Sequence, residues 1–250
     1  MPDTSRPRAV TGIARSLRVY HRDADRTRRM DALNAAFVKP GGLVFDIGAH
    51  VGDRVASFRR LGARVVAVDP QPVALRALRL MFRNDPGVTL VPGAVGAAPG
   101  TARMFLNTAN PTVSTLSRDF IAAADGAPGW EGQTWDSAQD VAVTTLDALI
   151  ATHGLPDFVK IDVEGHEAAV LAGLSHPLPA FSFEITTIQR DAALDALDRA
   201  TALGDYRFNL SLGEDHTLTL PDWVDAARMA ETIRALPHAA NSGDVYARRL

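Results

Sequence analysis

The sequence predicts an α/β fold, a mostly parallel sheet with helices on both of its faces. Three observations carry that expectation: short apolar runs that read as buried strands, helical stretches between them, and glycine or proline at the changeovers. Ile13, Leu17, Tyr20, Met30, Leu33 and Phe37 keep helical spacing over residues 13–37, and Lys39-Pro40-Gly41-Gly42 ends that stretch. Leu43-Val44-Phe45-Asp46-Ile47 is the first strand. Residues 53–61 read as a helix closed by Gly62, a residue suited to a C-cap. Arg64 to Asp69 is the second strand, Pro72 opens a helix that reaches about Asn84, and Val88 to Val91 is the third strand. Strand–helix alternation at this spacing requires crossovers, and crossovers impose parallel pairing.

The middle of the chain is less regular. Residues 101–106 and 141–145 read as strands. Between them, residues 107–140 are rich in Asn, Thr, Ser, Gly and Asp around Trp130 and Trp135, the pattern of a substrate loop. Alternation resumes with strands at 157–162, 180–185, 206–212 and 244–249, and with helices at 166–174, 189–203 and near 222–236. No repeat, low-complexity tract or linker interrupts it. Residues 1–40 therefore read as a helical extension and 41–250 as one domain.

Bulk properties exclude several classes. A chain of 250 residues buries roughly 70–75% of its unfolded surface and needs no staple. It has no cysteine, which removes disulfides, thiolate metal sites and cysteine nucleophiles. No apolar run of about 18 residues is present, and Met1-Pro2-Asp3-Thr4 is not followed by a signal-peptide core, so a cytoplasmic protein without a transmembrane segment is expected. A net charge of −3 argues against nucleic acid held by bulk electrostatics. Residues 1–30 nevertheless carry arginines 6, 8, 15, 18, 22, 26, 28 and 29 against Asp3, Asp23 and Asp25. A solvated helix face is the preferred reading; an anionic substrate, a lipid surface or a partner subunit are the alternatives.

In an open parallel sheet, ligands lie beyond the carboxyl ends of strands. The turn Asp46-Ile47-Gly48-Ala49-His50-Val51-Gly52 leaves the first strand in such a place. Glycine lets the backbone approach a ligand, and the helix after Gly52 aims unpaired N–H groups at the same space. S-adenosylmethionine (SAM) fits this chemistry, with a carboxylate for the helix end and an ammonium group for Asp46. Asp69, ending the second strand, suits the ribose hydroxyls, although an acid before Pro70 also suits a helix N-cap. NAD is disfavoured, because Asp46 occupies the first glycine position of its fingerprint and would repel a pyrophosphate. Ala94 and Val95, after the third strand, are candidates for the adenine wall. The candidate cofactor residues are Asp46, Gly48, Ala49, His50, Gly52, Asp69, Pro70, Ala94, Val95 and Asp162.

A second constellation, Lys160-Ile161-Asp162-Val163-Glu164-Gly165-His166-Glu167, puts three ionisable groups at the end of a central strand, with Glu184 ending the next. Together with Phe45 to Gly52, Val68-Asp69-Pro70, Thr145-Leu146-Asp147 and Phe183-Glu184, this tract resembles the FkbM-type SAM-dependent methyltransferases over residues 43–185. The resemblance implies a class I methyltransferase sheet of Rossmann-like type, seven-stranded with an antiparallel last strand. It also implies O-methylation of hydroxyls on sugars, glycolipids, polyketides or related secondary metabolites. The family usually has Asn where His50 stands, and a tolerated polar substitution is the preferred account of it.

A sugar hydroxyl is a poor nucleophile, so a base helps. His166 is the expected base, being tuned nearest neutral pH, with Glu164 and Asp162 as alternatives. The bland roles are a turn-stabilising residue for His166, a helix N-terminal carboxylate for Glu164, and an ion-pair partner for Lys160. Trp130 and Trp135 serve either to stack on a sugar or to anchor their loop. A divalent metal on Asp162 and Glu184, near His166, is weighed but not preferred over Glu184 binding substrate or a buried partner. A SAM-binding sensor or scaffold without catalysis is the competing class, disfavoured because binding alone does not need the tract 162–167. Nothing in the sequence sets the oligomeric state.

Overall fold

The computed structural model describes residues 5–250, with side chains from Arg8 onward. Met1-Pro2-Asp3-Thr4 and the Arg6 side chain of the basic N-terminus lie outside the described residues. The helical stretch expected over 13–37 is two helices, α1 (Ser5–His21) and α2 (Ala24–Asn34). The break has a local cause: the Asp23 carboxylate accepts from the N–H groups of Asp25 and Arg26 and so starts a new helix.

The chain then runs through β1 (Leu43–Ile47), α3 (Asp53–Arg60), β2 (Arg64–Asp69), α4 (Pro72–Met81) and β3 (Val88–Pro92). A smaller unit follows: β4 (Ala94–Val95), β5 (Gly100–Leu106), α5 (Arg118–Ala124) and β6 (Ser137–Thr144). Alternation resumes with α6 (Leu146–His153), β7 (Phe158–Ile161), α7 (Glu167–Ala172), β8 (Ala180–Thr186), α8 (Arg190–Leu203), β9 (Tyr206–Leu212), α9 (Ala226–Ala235) and β10 (Ser242–Arg249).

Seven strands form the main sheet in the order β3-β2-β1-β7-β8-β10-β9. All pairs are parallel except those of β10, which inserts antiparallel between β8 and β9. The antiparallel last strand is therefore present. β1 is the switch point: the chain winds outward through β2 and β3, then returns to β7 on the other flank of β1. The crevice at such a point is where ligands collect.

Period-two alternation divides the core. Leu43, Phe45, Ile47, Val159, Ile161, Phe181 and Phe183 pack on one face of the sheet, toward α6, α7, α8 and α9. Val44, Phe158, Ala180 and Tyr246 pack on the other with Val55 and Phe58 of α3 and Leu75 and Leu78 of α4. The strands expected at 101–106 and 141–145 pair with each other in a separate three-stranded sheet, β4-β6-β5. Its strand β6 begins at Ser137, inside the segment expected to be loop. The remainder of that segment folds on a small core of Val113, Phe120, Ala124 and Trp130. No helix among the described residues is long and apolar enough to cross a membrane.

Phe158 is 1% exposed and stacks on Phe37 at 5.1 Å between ring centroids, with Phe58 and Tyr246 beside it. Phe158→Ala should cost about 3–5 kcal/mol by denaturant unfolding, as for other buried aromatics. Leu155→Ala, at a residue 53% exposed, should stay within about 0.5 kcal/mol of the parent. Equal losses in the two variants would show that this face does not carry the fold.

Candidate active site

The turn after β1 is held from below. Gly48 and Ala49 both donate to the Val68 carbonyl, at 2.9 and 3.0 Å, and Asp162 N–H donates to the Ile47 carbonyl at 2.9 Å. Gly48 has φ +89°, and a Cβ there would stand 1.8 Å from the Asp162 carbonyl oxygen. The ends of β1 and β7 approach this closely only because residue 48 has no side chain. Gly52, with φ +74°, opens α3 without a side-chain cap. Its missing Cβ makes room for Leu78 and Phe82, and Gly52, expected as a cofactor residue, does not line the cavity over this turn.

A cavity lies over this turn. Asp46, Gly48, Ala49, His50, Asp69, Pro70, Ala94, Val95 and Asp162 all line it. Asp46 is 1% exposed and its Oδ2 has no hydrogen-bond partner. Burial pushes the Asp46 carboxyl up to about 7, although Lys160 pulls against the shift. Asp69 accepts from Gln71 N–H at 2.7 Å on one oxygen and from His50 N–H at 2.8 Å on the other. Burial still raises it to about 7. Each Asp69 oxygen keeps a further lone pair for a ligand. The N-cap of α4 is Gln71, so Asp69 tethers the turn instead of capping the helix.

His50 has φ +43°. Asn and His are among the few non-glycine residues that tolerate this left-handed region, which is a physical reason for either to stand here. Its Nε2 lies 3.3 Å from Thr112 Oγ1, its Nδ1 is buried without a partner, and burial lowers its pKa to about 4. The ring is therefore neutral near pH 7.

A second cavity opens outward from the first. Tyr20, Thr112, Asp162, Glu164 and Glu214 line both. Arg15, Ser16 and Val19 of α1 form one wall of the outer space, Asn110, Val113 and Trp130 another, and Glu184 part of its floor. At the junction, one oxygen each from Asp162, Glu164 and Glu184 lies within 4.8 Å of the others. Glu164 is 7% exposed, and among the described residues no group hydrogen-bonds its carboxylate. Glu184 Oε2 is likewise buried without a partner. Burial, reinforced by the neighbouring acids, raises both carboxyls well above the usual range.

Lys160 supplies the nearest fixed charge. Its Nζ donates to Asp162 Oδ2 at 2.8 Å and to Asp244 Oδ1 at 3.2 Å. Burial opposes its charge, but the two carboxylates hold its pKa well above the ordinary value, so it remains an ammonium and an ion-pair partner. The structure does not bring His166 to either cavity. The left-handed pair Glu164 and Gly165 turns the chain before α7, and the His166 Nε2 lies toward Gly96. His166, the expected base, thus lines neither cavity, whereas Glu164 and Asp162, the expected alternatives, line both. Trp135 donates to the Val113 carbonyl at 2.9 Å and anchors its loop; Trp130 donates to Asn241 Oδ1 at 3.2 Å and also lines the outer cavity.

Several lining residues carried no sequence signal. Tyr20 read only as an apolar helical position, and Glu214 arrives on the turn after β9, far along the chain. Asp53 and Arg54 follow Gly52 directly and were open to recognition as the first turn of α3. Arg26 Nη2 meets Asp53 Oδ2 at 2.7 Å and also Glu214, while Arg54 meets Asp53 at 3.2 Å and Glu214 at 3.3 Å.

Residues 46–210 match the family described as the methyltransferase FkbM domain. The hexuronic acid methyltransferase AglP of Haloferax volcanii is 24% identical over 172 residues, covering 68% of this chain and 64% of its own. The chain thus spans slightly under two thirds of that relative's length. A TehB-like SAM-dependent methyltransferase from Corynebacterium glutamicum is similar in fold, with a TM-score of 0.50 at 13% identity over 100% of both chains.

Gly48→Ala should destabilise the protein by more than about 1–2 kcal/mol, the left-handed cost alone, because its Cβ also meets backbone. Gly100→Ala, where nothing stands within 4 Å, is the control for a harmless substitution. Thermal unfolding of the pair tests this, and an unshifted midpoint for Gly48→Ala would contradict the close approach of β1 and β7.

Proposed function

The chain belongs to the FkbM methyltransferase family, and on that premise we propose that it is a SAM-dependent O-methyltransferase acting on a hydroxyl of a sugar, glycolipid or secondary metabolite. One observation carries the reading: two cavities, one over the β1 turn and one walled by α1 and the segment after β5, meet at Asp162 and Glu164. A transferase needs two such spaces with a reactive boundary.

The inner cavity fits SAM on its own features. Asp46 offers an orphaned, buried carboxylate oxygen for an ammonium group. The uncapped N-terminus of α3 offers N–H groups for a carboxylate. Asp69 keeps lone pairs for ribose hydroxyls, and Ala94 and Val95 offer an apolar wall for adenine. Bound there, SAM supplies an electrophilic methyl group on a sulfonium.

The residues of the boundary then have distinct tasks. The outer cavity orients the acceptor, and orientation alone is worth about 7–11 kcal/mol in favourable cases. With SAM bound to supply the methyl group, the Glu164 carboxylate would accept the proton that the acceptor hydroxyl gives up. Burial makes Glu164 a stronger base than an ordinary carboxylate, and a cation next to it favours its ionised form. Lys160 keeps Asp162 fixed at the junction. The hexuronic acid activity of the Haloferax volcanii relative supports a sugar-derived acceptor.

Asp69→Ala should raise the Kd for SAM by about tenfold or more in calorimetry. Glu164→Gln should lower turnover by about 10²–10⁴ with little change in that Kd. His166→Ala should leave turnover within a few-fold, and a large loss there would return the base to His166.

SAM affinity should also depend on pH. Asp46 and Asp69 titrate at about 7 without ligand, and contacts with an ammonium and ribose hydroxyls favour their ionised forms. Binding therefore lowers both pKa values and releases protons. Affinity should rise from about pH 5.5 to 7, by up to tenfold per unit for each carboxylate, and then level off. A flat profile over that range would sink the assignment of these acids to the cofactor.

A further inference from the structure

We propose that Asp162, Glu164 and Glu184 bind one hard divalent cation at the junction of the two cavities. Ligand oxygens 2.0–2.6 Å from a common ion lie at most about 4–5 Å apart. The three carboxylates present one oxygen each within 4.8 Å of the others, so they need little rearrangement to share an ion.

A cluster of acids alone would not establish this. The second observation is that the buried Glu164 side chain and the buried Oε2 atom of the half-buried Glu184 have no protein group to hold them among the described residues. Glu164 is 93% buried and its carboxylate has no hydrogen bond among the described residues, while Glu184 Oε2 is buried and unpartnered. A buried charge without a partner costs several kcal/mol, so it is either protonated or paired with a cation.

The protein's own cations do not fill that role. Lys160 is already divided between Asp162 Oδ2 and Asp244 Oδ1. Arg15 lines the outer cavity but is exposed and makes no ion pair among the described residues. Asp162 keeps its other oxygen free of hydrogen bonds. The donor set is oxygen only, with no cysteine in the chain and His166 directed elsewhere, which selects Mg²⁺, Mn²⁺ or Ca²⁺ over softer metals. Sequence alone suggested Asp162 and Glu184; the fold adds Glu164 and removes His166.

The role of the ion rests on the transferase reading, but its binding does not. Asp162 and Glu164 line both cavities, so an ion there would meet an acceptor oxygen arriving from the outer side and lower the pKa of its hydroxyl.

The test titrates the purified chain with Mn²⁺ alone at pH 7.5, without SAM or acceptor, by calorimetry and by electron paramagnetic resonance of free Mn²⁺. One equivalent should bind. Glu164→Gln and Glu184→Gln should each weaken it by about tenfold or more. Glu184 does not line the inner cavity, so Glu184→Gln should keep the parent SAM affinity, which also shows that it is folded. Absence of saturable binding up to about 10 mM, or binding undiminished in Glu184→Gln, overturns the proposal and leaves protons as the neutralising charge. Loss of SAM binding with Mn²⁺ binding intact would instead sink the transferase reading and leave the cation site standing.

Discussion

Lys160 is the charge on which the polar half of the sheet depends. It stands in β7, the central strand of the seven, and it pairs in register with Asp46 on one flank and Ser182 on the other. Asp46, Lys160, Ser182, Glu184 and Asp244 share the face that packs toward α3. On that face one end of the sheet is apolar, through Val44, Phe158, Ala180 and Tyr246, and the other end is polar, with β10 reaching the polar end first because it runs antiparallel. Ser182 lies between Lys160 and the strand that carries Asp244, and its small side chain leaves room for the ammonium to reach across. Without that ammonium, the buried Asp46 and Asp244 and the half-buried Asp162 would lose their common partner, at a cost of several kcal/mol for the buried pair.

The same economy of charge extends to the helices. Burial would raise Asp53, yet Arg54 and Arg26 hold it below its ordinary value. Burial would raise Glu214 as well, and Arg54, His216 and Arg26 more than offset it. Arg26 comes from α2, Arg54 from α3 and Glu214 from the turn after β9, so the ion pairs join three distant segments beside the inner cavity. The N-terminal helices are therefore fastened to the methyltransferase sheet by buried charge as well as by the packing of Ile13 against Val51 and Ala74. This answers part of the arginine excess near the N-terminus: Arg26 is structural, whereas Arg15 and Arg18 stay on the solvent side.

The sheet was legible in the sequence because strands buried on both faces leave continuous apolar runs, and Leu43 to Ile47 and Arg64 to Asp69 are such runs. The inner cavity was legible for a related reason: Asp46, Gly48 and Asp69 sit at the ends of those strands, and strand ends are where a parallel sheet binds ligands. What escaped depended on direction and distance. His166 and Glu164 are two residues apart, and periodicity does not tell that a left-handed pair would send one into the cavity and the other toward Gly96. Met104 joins the inner cavity from the second sheet, and Glu214 from the far side of the main sheet, contacts that no local pattern encodes. The break within the helical stretch 13–37 escaped because helical spacing continues across Asp23, while the capping carboxylate decides where the second helix starts.

Glu164 concentrates three unfavourable choices in one residue. It has φ +55°, a region that disfavours side chains with a Cβ, it is buried, and its carboxylate has no hydrogen bond among the described residues. Each costs on the order of 1–3 kcal/mol or more. The surroundings hold the arrangement from both sides. Thr115 Oγ1 donates to the Glu164 carbonyl at 2.6 Å, and the Glu167 carboxylate accepts from Val163 N–H at 3.0 Å and Gly165 N–H at 3.3 Å. Those bonds fix the backbone and leave the side chain free. The turn is stabilised by its neighbours while its own carboxylate is withheld from every donor among the described residues. Local rules are broken in this way where function requires it, and Glu164 borders both cavities.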